Sequence, residues 1–172
     1  NQKNLKQLTH WHIEGKLGFR SPQKNGSAWL RWLQQNSAYE LQLNVPFGAA
    51  ATQITGDKDF ALLSQSGQED VSAENGEALS AQLFGWPFPV TELASWVKGM
   101  PAPGSRAKPI FNEQNLLTSL RQQNWQLELS NYATFGEWTL PTRIKGTQGN
   151  IGFTLVINRW DIQPAASQPA PN

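Results

Sequence analysis

The stretch Trp11-His12-Ile13-Glu14-Gly15-Lys16-Leu17-Gly18-Phe19 decides the class of fold: its apolar or small residues Trp11, Ile13, Gly15, Leu17 and Phe19 alternate with His12, Glu14, Lys16 and Gly18. Only an extended chain sends successive side chains to opposite sides, so a period of two predicts a half-buried strand. Downstream, Ser21-Pro22-Gln23-Lys24-Asn25-Gly26 is turn chemistry, and residues 28–33 place apolar groups on both faces with Arg31 among them, which predicts a hairpin. Tyr39, Leu41, Leu43 and Val45 alternate with Glu40, Gln42 and Asn44 until Pro46, which has no amide to give a ladder. Residues 49–55 and 58–65 flank the tight-turn pair Gly56-Asp57, and residues 68–72 suit a further short strand.

The period then changes. Over residues 74–84, Ala78, Leu79 and Leu83 lie at helical spacing and Gly85 offers a stop. Pro87 and Pro89 force an extended passage, after which Val90, Leu93, Ala94, Trp96 and Val97 form one helical stripe ending at Gly99. Residues 100–109 are rich in Pro and Gly and are expected to be an irregular connection. Residues 116–120 fit helix or strand, whereas Trp125, Leu127 and Leu129 alternate clearly. Residues 140–147 and 151–162 surround Gly149-Asn150, predicting a closing hairpin that carries Phe153, Leu155, Ile157 and Trp160. Alternation on both sides of one helical insert predicts an α+β plan: a curved antiparallel sheet covered on one face by short helices, with a closed barrel as the alternative. One domain over residues 1–163 and a disordered Pro/Ala/Ser tail over 164–172 are expected.

Composition narrows the function classes. In 172 residues, 14 Lys and Arg face 13 Asp and Glu, and a formal charge of +1 gives no long-range field for a polyanion, so no nucleic-acid partner is expected. With no cysteine there is neither disulfide, nor thiolate metal site, nor thiol nucleophile. The longest nearly uncharged apolar run, 79–97, is broken by Pro87, Pro89 and Glu92, which excludes a simple membrane-spanning helix. Asn1 stands without a methionine or an apolar signal core before it, so a processed or trimmed chain is expected. His10 and His12 share one side of a strand without a third ligand, and Glu69-Asp70 and Asp57-x-Asp59 sit in turn-like surroundings. No Gly-x-Ser-x-Gly elbow, His-Glu-x-x-His helix or phosphate-binding Gly-rich loop occurs. Neither an enzyme nor a cofactor or metal is expected. Eight tryptophans and eight phenylalanines supply more bulky aromatic surface than an ordinary sandwich needs.

The segment Gly85-Trp86-Pro87-Phe88-Pro89-Val90-Thr91-Glu92-Leu93-Ala94-Ser95-Trp96-Val97-Lys98-Gly99-Met100-Pro101 resembles the Gly-x-Pro-x-Pro, Leu, Trp, Gly-x-Pro pattern of the LolB family of lipoprotein receptors. Its spacing agrees at Gly85, Pro87, Pro89, Leu93, Trp96, Gly99 and Pro101. Residues 39–48, where a strand runs into Pro46-Phe47-Gly48, and the 140–160 hairpin support it in the right order, while 104–121 matches only in broad pattern. The resemblance implies a strongly curved, incomplete antiparallel barrel of about eleven strands, lidded by short helices and enclosing an apolar cavity for acyl chains. It also implies lipid anchoring, through a cysteine upstream of Asn1, at the periplasmic face of the outer membrane; without that cysteine the chain is expected to be a soluble form.

What the resemblance implies about partners is a LolA-like periplasmic carrier, acylated lipoprotein cargo and outer-membrane phospholipid; a monomer is expected. Exposing several acyl chains would cost on the order of tens of kcal/mol at about 0.8 kcal/mol per methylene, so cargo has to pass between dry cavities. In the family the loop matching Pro46, Phe47 and Gly48 carries a protruding apolar residue, commonly leucine, that serves delivery; Phe47 is a departure in kind but not in polarity. Alternation and the helical stripe select Trp11, Ile13, Leu17, Phe19, Leu41, Leu43, Phe60, Leu62, Leu93 and Trp96 as cavity or lid residues. Pro-rich access and the Gly99 exit suit hinges for a lid helix. The alternatives are a soluble LolA-type chaperone and a lipocalin-like binder of small apolar molecules.

Overall fold

In the computed structural model of this chain, residues 4–44 and 51–162 are described. A 3-10 turn at Leu5–Gln7 precedes the long strands β1 (His10–Arg20) and β2 (Asn25–Gln35), and β3 (Ala38–Asn44) follows. β4 (Thr52–Gly56), β5 (Ala61–Gln65) and β6 (Val71–Ala73) continue the meander. Two helices interrupt it, α1 (Gly76–Phe84) and α2 (Val90–Trp96). The second half comprises β7 (Ala107–Phe111), β8 (Leu117–Gln122), β9 (Trp125–Ser130), β10 (Ala133–Phe135), β11 (Trp138–Leu140), β12 (Arg143–Gln148) and β13 (Ile151–Ile162).

Eleven strands form one antiparallel sheet in the order β6-β5-β4-β3-β2-β1-β13-β12-β9-β8-β7, and β10 pairs β11 in a separate two-stranded ribbon. Its edges β6 and β7 do not pair with each other, so the barrel is incomplete. The chain closes through its termini: β1 lies between β2 and β13, joining the two halves across a ladder from Trp11↔Ile162 to Arg20↔Gly152. That ladder slips between Glu14 and Gly15, a bulge that sharpens strand twist. A Cβ on Gly15 would run into the Val156 carbonyl and the Ile157 backbone, so the bulge requires glycine.

Strict alternation of buried and outward residues in β1 to β3 gives the sheet one apolar face, and both helices cover it. Asn75 caps α1 by accepting a bond from the Ala78 amide at 2.9 Å, and Gly85 ends the helix in the left-handed region at φ 83°. The return to α2 is held by the Phe88 amide on Ser80 Oγ (2.8 Å) and the Thr91 amide on Glu77 Oε2 (2.9 Å).

Three local expectations differ from the structure. Residues 107–109, expected to be irregular, belong to β7, and Pro109 is tolerated there because an edge strand has one side free of ladder bonds. Leu117–Gln122 is strand, which decides the ambiguous segment, and β10 and β11 were too short to leave a period. The Pro/Ala/Ser tail from 164 onward lies outside the described residues.

Candidate functional site

Eight of the ten selected interior residues are buried beneath the helices: Trp11, Ile13, Leu17 and Phe19 from β1, Leu41 and Leu43 from β3, and Leu93 and Trp96 from α2. Phe60 and Leu62 are corrected. Phe60 is 50% exposed, and β5 instead buries Ala61 and Leu63. The connection is a four-residue turn over 57–60, in which Asp57 Oδ1 accepts the Asp59 and Phe60 amides, and not the two-residue Gly56-Asp57 turn. The strand starts at Ala61, and its pairing of Ile54 with Leu63 puts Ala61 and Leu63 on the buried side of Ile54, which turns Phe60 and Leu62 to the other face.

The interior has two unlike regions. In one, Phe19, Phe84, Trp86, Phe88, Trp125 and Phe153 stack in a continuous chain, with ring centroids 4.7 Å apart for Phe19–Phe84 and 5.3 Å for both Phe88–Phe153 and Trp125–Phe153. Trp86 bridges Phe88 at 5.8 Å and Trp125 at 5.7 Å, yet its indole Nε1 is buried with no hydrogen-bond partner. These rings meet by dispersion and apolar burial alone.

In the other region each buried donor has an acceptor. Trp96 Nε1 donates to Gln122 Oε1 at 2.9 Å, the same oxygen accepts the Ala102 amide at 2.9 Å, and Gln122 Nε2 donates to the Ala102 carbonyl at 2.8 Å. Lys98 Nζ donates to the carbonyls of Leu8 (2.9 Å) and Leu5 (3.2 Å), stapling the amino-terminal 3-10 turn to the end of α2. Trp32 Nε1 donates to Gln34 Oε1 at 2.8 Å, and Trp160 Nε1 to the Pro141 carbonyl at 3.2 Å. Gly99, at φ 83°, lies so close to Tyr132 that a Cβ would stand 2.9 Å from its hydroxyl.

A cleft of about 230 Å³ lies between α2 and the sheet, with Leu8, Trp11, Val90 and Ala94 in its wall and Tyr39, Glu92 and Lys98 among its polar lining. Burial shapes these groups: it lowers the Lys98 ammonium pKa and raises that of the Glu92 carboxyl, the latter also through the charge of Glu77. Burial first, then Glu77, pushes the Tyr39 phenol up to about 12. Beside the cleft, the buried rings of Phe84, Trp86, Phe88, Trp125 and Phe153 pack against one another in the apolar interior.

Sequence reasoning left out Phe84, the last residue of the first helix, and Trp86 and Phe88, which lie in a proline-interrupted stretch without a period. For Trp86 and Phe88 the signal available was their place inside the Gly85 to Pro101 motif. On the outer face His12 stands 3.3 Å from Asp161 and 3.7 Å from Glu14, and among the described residues no three His, Asp or Glu side chains are grouped to hold a metal ion. Pro46, Phe47 and Gly48 fall outside the described residues, which resume at Ala51 after Asn44.

Comparison with known proteins places this geometry. Two solved structures share the fold at negligible sequence identity: a LolA superfamily protein from Nitrosomonas europaea (TM-score 0.57, 8% identity, 91% of this chain and 87% of that one) and a DUF1329 family protein from Desulfovibrio piger (TM-score 0.63, 5% identity, 95% and 89%). The outer-membrane lipoprotein LolB of Pseudomonas paraeruginosa is 38% identical over 160 residues, 93% of this chain and 78% of that protein. LolB of Cellvibrio japonicus is 38% identical over 167 residues, 94% and 82%. The family model described as outer membrane lipoprotein LolB matches residues 9–160, from the strand that closes the sheet to the last buried tryptophan, and the chain belongs to that family.

Proposed function

We propose that this protein takes acylated lipoproteins from a LolA-like periplasmic carrier and releases their acyl chains into the inner leaflet of the bacterial outer membrane, where an upstream lipidated cysteine anchors it. The observation that carries the reading is an apolar interior roofed by two short helices on an unclosed antiparallel sheet. An acyl chain entering the aromatic region exchanges one apolar neighbour for another and breaks no buried hydrogen bond of the rings it displaces. Loading is then a repacking near thermodynamic balance, which suits a protein that must let its cargo go. Direction comes from relative affinities. Phe47, with Pro46 and Gly48 beside it, supplies the apolar tip that meets the bilayer, a contact worth roughly 1.5–3 kcal/mol.

A closed lipocalin-like barrel is disfavoured by the unpaired edges β6 and β7. The test is stepwise transfer of an acylated protein from a carrier to this chain and then to liposomes. Phe47→Asp is expected to accept cargo as the parent does and to deliver it roughly tenfold or more slowly. Delivery at the parent rate removes the loop assignment, and a parent chain that takes no acylated protein overturns the whole reading.

A further inference from the structure

The outer face of the sheet carries a row of side chains that the interior does not explain. Cross-strand register aligns Asn44, Trp29, Lys16, Val156, Arg143 and Ser130 over five neighbouring strands, β3, β2, β1, β13 and β12 with β9 beyond them. Trp29 is 53% exposed and Val156 40%, while Lys16 between them is exposed too. No carboxylate lies on this row. The nearest one toward the carboxyl end of β13, Glu14, is engaged by Arg31 at 3.6 Å, and the next row on the other side adds Lys145 opposite Glu128. A chain with a net charge of only +1 thus concentrates cations around an exposed indole. At its far end the row stops at Asn44, the residue from which the 45–50 segment departs.

An indole and an aliphatic side chain alternating with two cations match the boundary of a bilayer, where the ring sits among headgroups and the cations meet phosphates. We propose that the Trp29–Lys16–Val156–Arg143 row is a second membrane contact, a docking patch for anionic phospholipid on the outer face of the sheet. This inference rests on the reading of the chain as a protein that works against a bilayer.

The test is co-sedimentation of the parent chain with vesicles of phosphatidylcholine alone and of phosphatidylcholine mixed with phosphatidylglycerol, alongside the variants Trp29→Ala, Lys16→Gln and Arg143→Gln. Lys108→Gln, on the edge strand β7, serves as a control for charge in general. The parent is expected to prefer the anionic vesicles and to lose that preference as salt rises. Each of Lys16→Gln and Arg143→Gln weakens partitioning about fivefold, Trp29→Ala weakens it on both kinds of vesicle, Lys108→Gln leaves it unchanged, and thermal unfolding stays at the parent midpoint. Equal loss from Lys108→Gln, no preference for anionic vesicles, or a dimer in sedimentation that Trp29→Ala dissolves would overturn the patch. Cargo acceptance from a carrier is measured on the same samples: its absence in the parent strikes the receptor reading, while unchanged vesicle binding in the row variants strikes the patch alone.

Discussion

The ring chain at Phe84, Trp86 and Phe88 and the seat of α2 at Trp96 and Lys98 lie a dozen residues apart in sequence and are built on opposite principles. The ring side chains of the first meet by shape and apolar contact and leave the Trp86 N–H unpaired, while only its backbone is tied, by the Phe88 amide on Ser80 Oγ; the side chains of the second are pinned by hydrogen bonds that fail outside a narrow geometry. Apolar packing tolerates substitution by any oily group of suitable size, whereas a buried donor separated from its acceptor costs about 1–3 kcal/mol. What is suited to repack is therefore the set of ring side chains, on a backbone return that the Phe88 amide on Ser80 Oγ and the Thr91 amide on Glu77 Oε2 hold in place.

The largest effect expected from this contrast is at Phe88, which is 2% exposed: Phe88→Ala should cost about 3–5 kcal/mol in urea unfolding. A fatty acid should restore much of that loss by filling the space, and no such rescue should follow Leu93→Ala; equal rescue at both sites would erase the distinction. Next, Gln122→Leu strands the Trp96 indole and the Ala102 amide together and should cost about 3 kcal/mol without creating a lipid-responsive void. A paired comparison sharpens the point further. Trp96→Phe removes a satisfied donor and bulk for about 2 kcal/mol, whereas Trp86→Phe also removes an unsatisfied donor and should stay within about 1 kcal/mol of the parent. Reversed order in chemical denaturation would show that the ring chain is the stiffer region.

The smallest expected effect is a pH dependence near the start of α1. The Tyr39 phenol is raised from 10.0 to about 12, so the folded state holds a proton that the unfolded chain releases. The stabilisation is fully present below pH 10 and is lost as pH climbs to about 12. Tyr39→Phe should flatten part of that decline; an alkaline limb identical to the parent's would show that the phenol is solvated.

Much of the sheet was legible because β1, β3 and β9 alternate over their whole lengths, and a half-buried strand cannot hide that signature. β7 was not, since Pro109 argues against a strand until the strand is known to be an edge. The inward set failed only at Phe60 and Leu62, because the chain is apolar at Phe60, Ala61, Leu62 and Leu63 in succession, so β5's own residues do not choose a face; the pairing of Ile54 with Leu63 does. The ring chain was invisible for a different reason. Its members come from β1, α1, the helical return, β9 and β13, and no local period relates residues brought together only by the closing of β1 on β13.

By itself, the sequence determined which segments are extended, where two helices interrupt them, and that one face of the sheet is oily, because each of these follows from side-chain spacing within a few residues. Tertiary structure alone decided that the barrel stays open, that rings from five distant segments meet in one chain, and that Gln122 holds Trp96. Those outcomes depend on contacts between residues far apart in the chain, whose geometry is fixed only when the strand ladders close.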